Sequence, residues 1–151
     1  MIRFSLVLAA ALSLVAPSGY AAGLKFIHIS GDADNPAIDA AMWFPCATPP
    51  TEVRIGTLVV PATPDCPIAG EALPLIIVSH GYGGWYLGHH DTAEALADAG
   101  FIVVAINHPH ANHADMSKAS GLGVLIERPA DIKRTIDFML DVSPDAAKID
   151  P

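Results

Sequence analysis

Two short runs of consecutive apolar residues, 75–78 and 101–106, organise this chain, and each stops abruptly in polar residues. A strand that is apolar without alternation is covered on both faces, which is the habit of strands in parallel sheets. Between the two runs, residues 91–99 read as a short helix. Asp91 is placed to cap it, Glu94 stands at the reciprocal capping position, and Gly100 is the stop. Strand, short helix, strand is a βαβ unit, so residues 73–79 and 101–107 are expected as parallel neighbours. Upstream, residues 24–30 partly alternate and are rich in β-formers. A turn cluster at 31–36 follows, and residues 38–44 return as a second strand, so an antiparallel hairpin is expected there. A proline-rich connection with a short strand at 57–60 leads into the first apolar run. Downstream, a helix is expected to begin near Pro129, with Ile132, Ile136, Met139 and Leu140 on one apolar face. Residues 143–151 read as an exit loop, and a doubly wound sheet would place its next strand immediately beyond Pro151. The fold class expected is therefore α/β: an N-terminal antiparallel hairpin leading into a doubly wound, mostly parallel sheet.

Length and charge narrow the function. The chain has 151 residues, enough for one domain with a core. Its formal net charge is −8, which argues against a nucleic-acid partner. A short basic start at Arg3, an apolar run over residues 4–16, and small residues at Gly19 and Ala21 read as a signal peptide over residues 1–21. The run is shorter than the ~20 residues a membrane span needs, and no other stretch is long and apolar enough. The expectation is an exported protein, periplasmic or secreted, whose domain occupies residues 22–151. In that compartment Cys46 and Cys66 are a natural disulfide pair. A metal site would need more ligands than these two.

The chemistry concentrates where the first apolar run ends, in Ser79-His80-Gly81-Tyr82-Gly83-Gly84. In doubly wound sheets ligands bind beyond the carboxyl ends of the strands. Glycines there free backbone N–H groups to point at one oxygen, or simply make a tight turn. A second cluster, His108-Pro109-His110-Ala111-Asn112-His113, follows the other apolar run. It has the spacing of the His-x-His-x-Asp-His metal motif of metallo-β-lactamase-like hydrolases. Three imidazoles at His108, His110 and His113 would hold zinc with a position open for water. Asn112 stands where that motif has aspartate, and an amide is a poorer base and ligand. The plainer reading is a polar loop on the active-site face. His89 and His90, before the Asp91 helix, read as solvent-facing or helix-entry residues.

Taken in order, Trp43-Phe44-Pro45, the segment from Leu73 to Gly84, Gly88-His89-His90-Asp91, Ala99-Gly100-Phe101, His108-Pro109 and Glu127-Arg128-Pro129-Ala130-Asp131 carry a resemblance. They resemble the α/β-hydrolases described as predicted dienelactone hydrolases, related to platelet-activating-factor acetylhydrolase, over essentially all of residues 24–151. The resemblance implies a serine-type hydrolase of carboxylic esters or lactones, acting on a small molecule without a cofactor. It implies that the Tyr82 N–H is one oxyanion donor, with Gly81 and Gly83 shaping the loop and His80 ordering it. It also implies a Gly-x-Ser-x-Gly elbow after the next strand, followed by the acid and the histidine. None of Ser79, Ser117, Ser120 and Ser143 has that context, so the nucleophile, acid and base are expected outside this chain, which then represents the N-terminal portion of a hydrolase. A non-catalytic secreted binding module is the remaining alternative.

Overall fold

The computed structural model describes residues 21–151. The expected leader, residues 1–21, lies outside them except for the backbone of Ala21. The described residues form one mixed sheet of six strands in the order β3-β4-β1-β2-β6-β5. The strands are β1 (Ala21–Ile29), β2 (Ile38–Cys46), β3 (Thr51–Ile55), β4 (Leu58–Pro64), β5 (Leu75–Ser79) and β6 (Ile102–Ile106). The helices are α1 (His90–Asp98) and α2 (Val124–Asp137), and α2 runs on into a π turn at Phe138–Val142.

The N-terminal hairpin is antiparallel, with Leu24 opposite Trp43 and Ile29 opposite Ile38. The two apolar runs are adjacent parallel strands, in register from Leu75 opposite Ile102 to Ser79 opposite Ile106. Strand β6 joins them to the hairpin by pairing antiparallel with β2. Alternate residues of the central strands feed two cores. On one face Ala41, Trp43, Val103 and Ala105 meet Ala93 and Ala97 of α1. On the other, Met42, Phe44, Val104 and Ile106 meet Met139, with Ile132, Phe138 and Leu140 packed against them. The period-two alternation of a strand makes this division.

Helix α1 ends as expected. Gly100 has φ +99°, its N–H donates to Ala97 O, and the Phe101 N–H donates to Leu96 O. This paired closure is the Schellman arrangement, and it needs a left-handed residue at Gly100. The other end differs from expectation. The helix already includes His90, and His89 occupies the N-cap without a side-chain cap bond. Asp91 thus lies two residues past the cap position, inside the first turn; its Oδ1 accepts the Thr92 N–H. Glu94 pairs instead with His90 Nδ1 at 3.0 Å.

Helix α2 also differs, starting at Val124 with Pro129 inside it. Its opening turn exposes Leu125 and Ile126, so no apolar face marks its start. The proline-rich connection holds a second hairpin, β3 with β4, which turns at Gly56, where φ is +62°. Cys46 and Cys66 are bonded, with Cα atoms 6.3 Å apart. Closing a loop of this size contributes about 3 kcal/mol in the chain-entropy account.

Candidate functional site

Strand β5 delivers its carboxyl end into a tight turn. The Gly84 N–H donates to Gly81 O at 3.1 Å, closing a four-residue β-turn. Gly83, at the third position, has φ +65°, where a type II turn takes glycine. A Cβ on Gly84 would lie 2.9 Å from the His80 Cβ, so this glycine is needed for closure, whereas a Cβ on Gly81 would meet nothing within 4 Å. Tyr82 stands at the tip with its side chain 76% exposed. Among the described residues its N–H has no hydrogen-bond partner.

The peptide that carries this N–H is held from its other side. Gly81 O accepts from Gly84 and also from His80 Nδ1 at 2.7 Å. In a planar trans peptide the carbonyl and N–H point opposite ways. Tethering Gly81 O inward therefore directs the Tyr82 N–H outward, as a free donor at the strand's carboxyl end. His80 is 2% exposed. Burial lowers its pKa, opposed by the bond to Gly81 and reinforced by the charges of His108, Arg128 and His89. A neutral ring is what its bonds require, because its Nε2 accepts the His108 backbone N–H at 3.3 Å.

Beneath the turn lies an arrangement that the sequence did not reveal. Ser79 Oγ is 2.8 Å from His108 Nε2, and His108 Nδ1 is 2.9 Å from Asp131 Oδ2. His108 is fully buried and Asp131 is 7% exposed. Arg128 Nη2 donates to Ser79 Oγ at 2.8 Å and also to the His80 carbonyl. The Asp131 carboxylate can only accept, so the network assigns a hydrogen to His108 Nδ1, and a Ser79 hydroxyl donating to Nε2 completes it. The partners are 29 and 23 residues apart in sequence, so no motif spacing announces them.

The histidines of the β6 loop do not converge. Both ring nitrogens of His108 are engaged by Ser79 and Asp131. His110 Nδ1 faces Asp115 at 2.8 Å, and the His113 ring lies beside Trp85. Among the described residues no group of three His, Cys, Asp or Glu side chains is placed to hold a metal ion. The three-imidazole zinc arrangement of His108, His110 and His113 is therefore not the one formed; burial and hydrogen bonding draw His108 under β5, away from the other two. The loop is ordered by its own polar groups. Bonds from the Ser117 side chain and N–H, with His110, hold the Asp115 carboxyl down to about 2. The loop still shares the face of the turn, since the His113 N–H donates to Gly84 O at 2.8 Å. A cleft of about 240 Å³ flanks Asp131, lined by Asn35, Pro109, His110 and Ile126 among others.

Comparisons with known proteins bear on the family and the fold. The sequence model of the family described as "Platelet-activating factor acetylhydrolase, isoform II" matches residues 46–120, a segment containing the whole turn and most of the His108 loop. Among solved structures, a ferulic acid esterase from Streptomyces cinnamoneus is similar, with a TM-score of 0.64 and 18% sequence identity over 90% of this chain. The chain spans about half of that esterase, 51% of its length. No curated protein matches the chain.

Proposed function

With an esterase-like α/β-hydrolase fold, present in part, as the premise, we propose that this chain forms the oxyanion-loop portion of a serine-type hydrolase of carboxylic esters or lactones. The observation that carries the reading is the outward-facing, unbonded Tyr82 N–H at the carboxyl end of a parallel strand, where α/β sheets bind their ligands. Attack on an ester carbonyl places negative charge on its oxygen. A preorganised N–H at that oxygen stabilises the charge without reorganising during the reaction. Gly81 leaves open space beside the donor for the acyl group. In this reading the attacking serine, its acid and its histidine come from the part of the esterase fold that this chain does not span, together with the second oxyanion donor.

The test is an assay with p-nitrophenyl acetate. The 151-residue chain alone is expected to show no turnover above a heat-denatured control, because nucleophile and base act as a unit. The same chain joined to the remaining half of the fold is expected to turn over and to be inhibited by a serine-directed fluorophosphonate. Robust, fluorophosphonate-sensitive turnover by the 151-residue chain alone would replace this reading with one in which the chain is self-sufficient.

We further propose export, from the leader-like segment ahead of Ala22. N-terminal sequencing of material from the periplasm or medium is expected to begin at Ala22 or Gly23. A soluble cytoplasmic product retaining Met1 would contradict it.

A further inference from the structure

Ser79, His108 and Asp131 have the distances of a serine–histidine–aspartate relay, yet we propose that they act as a positioning clamp for the oxyanion loop and that Ser79 is not a nucleophile. This inference rests on the oxyanion reading of the Tyr82 N–H.

The four side chains close a ring. Asp131 and Arg128 are three residues apart on α2, so they project from one side of it. Asp131 holds His108 at the end of β6, and His108 holds Ser79 at the end of β5. Arg128 returns from α2 to Ser79 and, in the same reach, to the His80 carbonyl. The ring thus ties α2 and the carboxyl ends of two parallel strands to the residue that begins the turn. His80 receives a further bond from the His108 backbone and passes the constraint on through its Nδ1 to Gly81 O. Gly81 O belongs to the same rigid peptide as the Tyr82 N–H. Hydrogen bonds and the two histidine side chains thus link Asp131 to the planar Gly81–Tyr82 peptide that carries the donor.

Two features set Ser79 apart from an attacking serine. Arg128 already draws on one of its two lone pairs, which lowers its nucleophilicity. It is also the last residue of a regular strand, not the apex of a strained strand-to-helix elbow that thrusts the hydroxyl at substrate. The free donor is therefore offered to a carbonyl attacked from elsewhere.

The experiment compares Ser79→Ala, Ser79→Thr and Asp131→Asn in the full 151-residue chain by ¹H–¹⁵N NMR, with the β6 amides as the reference for intact fold. In the unmodified chain the His108 Nδ1 proton is expected as a downfield resonance protected from water. Ser79→Ala and Asp131→Asn should shift or broaden the Tyr82 and Gly83 amides while β6 is unmoved. Ser79→Thr, which keeps the hydroxyl, should restore them. When each variant is joined to the remaining half of the fold, Ser79→Ala should lower kcat about tenfold with KM nearly unchanged, since the donor it positions acts in the transition state. Ser79→Thr should recover that loss. If no version of the joined protein is an esterase, the oxyanion reading fails while the amide shifts still report the clamp. Unchanged Tyr82 and Gly83 amides in Ser79→Ala, or a fluorophosphonate adduct on Ser79, would overturn the clamp.

Discussion

Strands β5 and β6 are nearly the same sentence written twice, Leu-Ile-Ile-Val-Ser against Ile-Val-Val-Ala-Ile, and they lie side by side in register. Their fates differ. All five residues of β6 are buried, whereas Leu75–Val78 are each partly exposed and Ser79 is exposed. The cause is position in the sheet. Strand β6 is flanked by β2 and β5; β5 ends the sheet and has one neighbour among the described residues. An apolar run states that a strand is suited to cover on both faces, but only the strand order says whether cover arrives. An uncovered apolar edge strand invites another strand to pair with it. The chain spans 51% of the length of the similar esterase; a strand supplied by the rest of such a fold would cover the β5 edge. The glycine turn after Ser79 therefore grows from the less protected strand, and bonds reaching across from β6 and α2 hold it.

The largest effect should come from breaking the better covered strand. Ile102→Ala is expected to cost about 2–5 kcal/mol, the range for emptying a fully packed site. Ile77→Ala should cost no more than about 2 kcal/mol, because less apolar area leaves water there. Urea unfolding of the two variants measures both. Equal costs would contradict the edge assignment of β5. In the joined protein the Ile77→Ala cost should rise toward that of Ile102→Ala as the edge becomes covered.

A smaller effect isolates the β5 end. Because the folded state lowers the His80 pKa, the unfolded chain binds the proton more tightly. Stability is then fully present above the unfolded value of about 6.5 and is lost as pH falls through it toward the lower folded value. Thermal melts from pH 8 to pH 5 should show this loss, and His80→Gln should flatten it. Comparing the two proteins cancels Glu94 and Asp98, whose carboxyl pKa values burial raises. An unchanged pH slope in His80→Gln would place the titration elsewhere.

These contrasts also explain what could be read from the sequence. The two parallel strands and the end of α1 were legible because each rests on local signals: unbroken apolar runs and Gly100. The hairpin of β3 and β4 was only half legible. Thr51–Ile55 has no buried residue, and Pro61 and Pro64 in its partner strand read as linker. The start of α2 was hidden because its first turn faces water and Pro129 mimics a helix beginning. The turn at Tyr82 was visible as glycines after a strand. The ring through Ser79, His108, Arg128 and Asp131 was not, since it joins two strand ends to a helix and exists only once the sheet is assembled.

The proposed activity depends on one atom group, the Tyr82 N–H. Its direct test is the pair Tyr82→Ala and Tyr82→Pro in the joined, esterase-competent protein. Alanine keeps the N–H and removes only a side chain that is 76% exposed. Proline removes the N–H at the second position of the turn, where its fixed φ suits the backbone. The prediction is a kcat within about twofold of the parent for Tyr82→Ala and a fall of about 10²–10³-fold for Tyr82→Pro, the usual effect of losing an oxyanion donor. A Tyr82→Pro enzyme with undiminished kcat, or one no worse than Tyr82→Ala, would contradict it.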